Sequence, residues 1–387
     1  MKFIKSIDNI VIFFFLILSS ILISYTYYFD HFALVNALIQ NNNVIYDDKT
    51  NLFYLIHFNS PSFLFIIINF FIKIGFSITF INSFLTFFAT LLNLSGIYLI
   101  SKFITSSKFL SILISLTSIV LVKNFGDIDY PTLMFSGHTI GVYAYSLSTF
   151  ILGLLTLRNL LFAILTCLLL LSIHLVLGLW MFGIISLSAY FFIEKKNIKT
   201  IQTTIFFLLI VIIFYIYWFA NNADIPFEFN QKDYDNYFFY LEAHRNNYGD
   251  LGNLYFDYVI KSIVLVLLIF IYLKFNFHNI NDYSKNFFLK TLSLSIIFSG
   301  IIFFIYKIFP QIFPEIAIRT IPQRFFLIHS VVGYPIMISI FYKFLEKFLI
   351  YKKLNKNISF YLISTIILLH LIQHHEHLKS RFDNIRV

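Results

Sequence analysis

From Asn159 to Ile193 the chain carries no Asp, Glu, Lys or Arg. That stretch exceeds a single helical crossing of a hydrocarbon layer, which takes about 20 residues. It must therefore break, and His174 marks the break. The pattern recurs along the chain as apolar runs bounded by polar clusters, at 10–29, 78–101, 109–123, 139–157, 159–173, 175–193, 201–220, 258–274, 287–308, 325–343 and 358–373. Backbone polar groups in lipid must be satisfied internally, so such runs cross as helices. The expectation is an all-α polytopic membrane protein with eleven transmembrane helices in one integral membrane domain, 1–387. Phe63 to Ile74 is too short to cross and stops at Lys73 and Gly75, which predicts a helix lying on the outer surface.

Composition excludes the soluble alternative. Hydrophobic residues make up 59% of the chain and charged residues 12%, against about 25% charged in soluble domains. The abundant Phe and Tyr carry little functional weight, since nucleotide bias can enrich both. The single cysteine, Cys167, lies in an apolar run, which rules out an intramolecular disulfide and makes a thiolate metal site implausible. The N-terminus, Met1-Lys2-Phe3-Ile4-Lys5 before apolar Ile10 to Tyr28, has the look of a signal peptide. It lacks a small-residue cleavage site and is read as a retained first span.

The net charge of +9 reports orientation rather than nucleic acid. With the N-terminus inside, the inner segments hold 16 of the 28 Lys and Arg but only 4 of the 19 Asp and Glu. The positive-inside rule favours that placement, so the chain is expected in the inner (cytoplasmic) membrane with its N-terminus cytoplasmic. The remaining acids then concentrate outside, in loops at 30–77, 124–138 and 221–257, with a late outer loop at 309–324.

Those loops hold the candidate chemistry. Asp30 directly follows the first span, and apolar residues at 32, 34, 35, 38 and 39 keep the spacing of an interfacial helix. A carboxylate at a membrane–water edge can hold a raised pKa and act as a general base; the plainer role is a helix cap or a solvated loop acid. Asp127 and Asp129, two residues apart, would point the same way in an extended loop and could share a divalent cation, Mg or Mn. His138 lies on the far side of the same loop. Arg319 and Arg324 flank Pro322 at the outer edge, where a guanidinium either holds a lipid phosphate or anchors the span by snorkelling. Lys73 and Lys123 are weaker versions of the same case. His174 is either a substrate contact or a packing histidine. The row His370, His374, His375, His377 has metal-binding spacing, but a frayed, solvated terminus explains it better.

Several segments match one family in order: Asp30-His31-Phe32-Ala33-Leu34-Val35-Asn36-Ala37-Leu38, then Ser60-Pro61-Ser62-Phe63-Leu64 running to Lys73-Ile74-Gly75-Phe76-Ser77, then Ile97-Tyr98-Leu99-Ile100-Ser101-Lys102, and finally Pro322-Gln323-Arg324-Phe325-Phe326-Leu327-Ile328 with Pro335 beyond. In their order and sidedness these resemble the GT-C superfamily of polyprenyl-phosphate-dependent membrane glycosyltransferases. The nearest branch is the one with protein mannosyltransferases and the lipid A aminoarabinose transferase. Two departures stand out. The family's first-loop acidic pair is here Asp30-His31, and its basic residue beside the second surface-helix proline is here Ser60.

The resemblance implies inverting transfer of a sugar from a polyprenyl-phosphate donor to an acceptor hydroxyl on a glycan, lipid or protein, on the extracytoplasmic side. Asp30 would be the base, with His31, His138, His174, Arg319 and Arg324 binding substrate. The long outer loop would bind acceptor or cover the site. Two other classes remain open: a polysaccharide polymerase or ligase, for which Arg245 would matter, and a transporter or flippase. The latter usually keeps its ionisable residues at the midplane and shows internal repeats.

Overall fold

The computed structural model describes residues 2–26, 34, 37–38, 61–125, 140–157, 159–192, 198–221, 252–275, 283–309, 312 and 325–373. Among them the chain is all-helical. Twelve helices follow in order: α1 Lys2–Thr26, α2 Phe63–Lys73, α3 Ile78–Thr105, α4 Lys108–Phe125, α5 Ile140–Leu155, α6 Leu160–Ile173, α7 Leu175–Phe192, α8 Ile198–Asn221, α9 Gly252–Lys274, α10 Tyr283–Ile308, α11 Phe325–Tyr351 and α12 Asn357–Gln373.

A helix occupies each of the eleven expected runs. Among the described residues, four stretches are long and apolar enough to cross a membrane by length and composition: Ile78–Thr105, Leu175–Phe192, Thr200–Trp218 and Phe287–Ile305. Others are short. The 14 residues of α6 rise only about 21 Å, less than the ~30 Å of hydrocarbon that a free crossing helix must span.

The bundle is built around α3, which packs most extensively on α5 and then on α4, α1 and α11. Small residues permit this. A Cβ added to Gly96 would strike the carbonyl oxygen of Thr149, and one added to Gly153 would lie 2.8 Å from the Gly96 Cα. The two backbones therefore touch with no side chain between them, the small-residue contact that lets helices associate without help from water. The α3–α4 pair is antiparallel and tied by Ser115 Oγ donating to Leu94 O at 2.7 Å.

Large apolar side chains face outward on α1, α8, α9 and α12, among them Phe14, Ile213, Phe270 and Leu369. Water would penalise such a surface, whereas lipid accepts it. Phe76, just before α3, and Phe80, Phe84 and Phe88 on it form a ladder of stacked rings, 4.8 to 6.2 Å apart. Phe76, Phe80 and Phe88 are exposed, while Asn82, Thr86, Thr90, Asn93, Ser101 and Thr105 on the same helix are buried.

Lysines gather at one end of the bundle. Lys102 lies over the Tyr98 ring at the end of α3, and Lys290 over Phe192, joining the start of α10 to the end of α7. Lys347 donates to Phe275 O between α11 and the segment after α9. Lys343 pairs with Glu346 at 2.7 Å. These are residues that the charge tally assigns to the inner side.

Two expectations need comment. The surface helix appears as α2, capped by Ser62 and closed by Gly75 at φ 89°. Its Phe65 and Ile68 are fully buried, so it is wedged into the bundle rather than merely resting on it. The frayed C-terminus is corrected at His370, which is helical and lies 6.5 Å from the Tyr334 ring. His374, His375 and His377 lie outside the described residues.

Candidate functional site

At the end of the bundle opposite the lysines, α2 and α8 meet the reversal between α6 and α7 at His174, and α10 and α11 pack further along α7. The residue has extended backbone, φ −141° and ψ 97°, and separates α6 from α7. Its N–H donates to Leu170 O at 2.8 Å, closing α6, and its carbonyl accepts from Gly178 N–H at 2.9 Å, opening α7. Its ring Nδ1 accepts from Leu177 N–H at 3.4 Å. The histidine thus acts as the cap that Ser or Asp usually supplies, and the accepting Nδ1 requires the neutral ring's proton to sit on Nε2. A Cβ on Gly178 would collide with the Leu171 backbone, so glycine is what allows α7 to fold back across α6 so tightly.

Two further elements fasten to this reversal. Ser62 Oγ accepts from Leu64 N–H at 3.3 Å and donates to Ile173 O at 2.9 Å. One buried hydroxyl thereby starts α2 and satisfies an orphan carbonyl at the end of α6. Tyr215 near the end of α8 donates to Leu171 O at 2.7 Å. Phe63 meets Phe214 edge-on at 6.2 Å, so α2, α6 and α8 share one junction. Across α7, Trp180 stacks on Phe325, the first residue of α11, with ring centroids 4.2 Å apart and planes 5° from parallel. One turn along α11, buried His329 lies 3.0 Å from Ser295 Oγ on α10.

Of the residues nominated from sequence, only His174 has a described position in this cluster. Its backbone closes α6 and opens α7, and its Nδ1 accepts from Leu177 N–H of α7. Lys73 is exposed in the last turn of α2. The backbone at Lys123 belongs to α4. Asp30, His31, Asp127, Asp129, His138, Arg245, Arg319 and Arg324 lie outside the described residues. In the expected helix after Asp30, Leu34, Ala37 and Leu38 are helical, and Leu34 and Ala37 are buried in the main core. Among the described residues no three His, Cys, Asp or Glu side chains come together as a metal site.

Sequence reasoning missed His329, Ser295, Tyr215 and Trp180. His329 carried a usable signal, since an ionisable side chain inside an apolar run marks function or a dedicated partner. Ser295 and Tyr215 carried none, because their partners are far away in the chain. Comparison with protein-family models, curated proteins and solved structures gives no match.

Proposed function

We propose that this chain is an integral-membrane glycosyltransferase of the GT-C kind, with eleven crossings, a cytoplasmic N-terminus and an extracytoplasmic site. One observation supports the reading. Two segments that carry the family resemblance, 60–77 and 322–328, are far apart in sequence. Their described parts both dock on the α6–α7 region: Ser62 bonds Ile173 O, and Phe325 stacks on Trp180. Shared docking is what a common substrate site needs. Phe325 also follows directly after Arg324.

In this mechanism the donor's polyprenyl tail lies in the bilayer and its sugar at the His174 end. Asp30 takes the proton of the acceptor hydroxyl, whose oxygen attacks the anomeric carbon from the face opposite the phosphate. The carbon–oxygen bond to the phosphate breaks, and the configuration inverts. Arg319 and Arg324 receive the charge that develops on the leaving lipid phosphate. Asp127 and Asp129 are the pair that would hold a Mg or Mn ion, whose positive charge would assist there.

The test is transfer by protein reconstituted in liposomes, using a panel of polyprenyl-phosphate sugars and candidate glycan, lipid and peptide acceptors. Asp30→Asn should slow transfer about 10²- to 10⁴-fold, the usual contribution of a positioned base. Unchanged transfer in that variant rejects Asp30 as the base. Transfer that survives Asp30→Asn but is lost in Arg245→Ala points instead to a polymerase or ligase.

A further inference from the structure

The lysine end of the bundle keeps positive charge that the adjoining chain does not neutralise. Lys102 and Lys108 flank the α3–α4 turn, and Lys352, Lys353 and Lys356 occupy the α11–α12 turn. No Asp or Glu occurs from 49 to 126 or from 347 to 375, the two stretches that contain these turns. Glu346, just before the second stretch, is paired with Lys343. Lys102 and Lys108 are half-buried and close enough to repel each other. Lys102 and Lys352 lie over the rings of Tyr98 and Tyr351, at 5.4 and 5.8 Å. Such contacts hold an ammonium in place without cancelling its charge.

The two turns lie side by side. Phe109 at the start of α4 is 5.8 Å from Phe360 at the start of α12, and Leu110 and Ile363 share one buried cluster. Both turns are sharp for the same reason. Among the described residues, Ser106 at φ 61° and Lys353 at φ 54° are the non-glycine residues with left-handed backbone. Ser106 N–H donates to Lys102 O at 2.9 Å, and the N–H groups of Lys353 and Leu354 donate to Ile350 O and Leu349 O at 3.0 and 2.8 Å. Glycine is the usual residue in such a closure, because a side chain is strained there. At Lys353 the chain gives up that stability and adds charge to a turn that is already positive. Strain kept in an exposed segment points to function.

We propose that the α3–α4 and α11–α12 turns together form one docking surface for anionic phospholipid headgroups. Clusters of about four to eight Lys and Arg beside a crossing helix attract such lipids. The apolar run of α4 begins at Phe109 and that of α12 at Ile358, directly after the lysines, which sets the ammonium groups at headgroup level. Every residue from Tyr351 to Ile358 is exposed. Apolar side chains rim the lysines, with Phe109, Tyr351 and Leu354 exposed by 63%, 80% and 53%. A dissolved anion has no use for that rim. A lipid sets its phosphate against the ammonium groups and its glycerol and upper acyl chains against the rim. The surface goes beyond the glycosyltransferase reading and does not depend on it.

Native mass spectrometry of the full chain tests this, with phosphatidylglycerol or phosphatidylcholine added at equal concentration in neutral detergent. A lysine near an anionic surface contributes about fivefold to binding, so the wild type should favour phosphatidylglycerol by about tenfold or more. Lys352→Gln with Lys356→Gln should remove most of that preference, and both side chains are exposed, so the fold survives the change. Lys290→Gln, at the same end of the bundle but over Phe192, should leave the preference intact. Lys353→Gly separates lipid binding from folding. Relief of strain should raise its Tm in lipid-free detergent, while loss of charge should weaken phosphatidylglycerol binding about fivefold. Equal retention of the two lipids by the wild type overturns the proposal, as does a loss in Lys290→Gln as large as in the double variant. Displacement of the lipid by millimolar inorganic phosphate at constant ionic strength overturns it too, because the turns would then be a site for a free anion.

Discussion

Two long apolar helices, α3 and α8, have opposite surroundings. Gly96, Ala89, Thr90 and Asn93 of α3 are packed inside the bundle. Along α8, Val211 is the one buried side chain among the described residues, while Ile205, Phe206, Leu209, Ile213 and Ile216 are exposed. The contrast reverses the rule for soluble proteins. Lipid is as apolar as leucine, so a wholly apolar helix gains nothing from burial. A helix with small and polar residues gains close packing and partners for its polar groups. Hence α3 buries Asn and Ser while exposing Phe80 and Phe88.

The strongest way to break this comparison is Gly96→Leu. A side chain there has no room against the Thr149 backbone, and overpacking of this kind costs about 3 kcal/mol or more. Size-exclusion chromatography in detergent should show loss of the folded-protein peak. Survival at wild-type stability would mean that α3 and α5 do not pack through glycine. Next in size is Ile213→Lys on α8, where a charge at the centre of a lipid-facing helix costs about 3 kcal/mol. Thermal unfolding in nanodiscs should report it, and no change would place that face against water. The smallest effect belongs to Ser115→Ala. Losing its bond to Leu94 O should lower stability by about 0.6 kcal/mol, as interhelical hydrogen bonds in membranes do. A double variant with Gly96→Ala would show whether the α3–α4 and α3–α5 contacts are coupled.

Much of the fold was legible in the chain. Apolar runs located the helices, and His174 marked the break between α6 and α7. Lys73 and Gly75 marked the end of α2, while the Ser62 cap at its start became visible only in the structure. The candidate site was less legible. His174 was visible as an ionisable interruption, yet its use as a cap depends on Leu177 and Gly178 folding back over Leu171. The Tyr215–Leu171 and Trp180–Phe325 contacts join segments with no shared sequence signal. The polar row of α3 was written in its spacing, but hydropathy averaging hid it among Leu, Ile and Phe.

The sequence by itself determined that the chain forms apolar helices and that its charges are divided between two sets of connecting segments. Those properties follow from local composition and from the backbone's need to bond within its own helix when lipid replaces water. Only the tertiary structure decided which apolar helix stands in the middle and which stands at the rim. That choice turns on whether two backbones can meet, as at Gly96 and Gly153, and on which polar atoms find partners across helices. Such contacts depend on residues distant in the chain and become definite only when the helices pack.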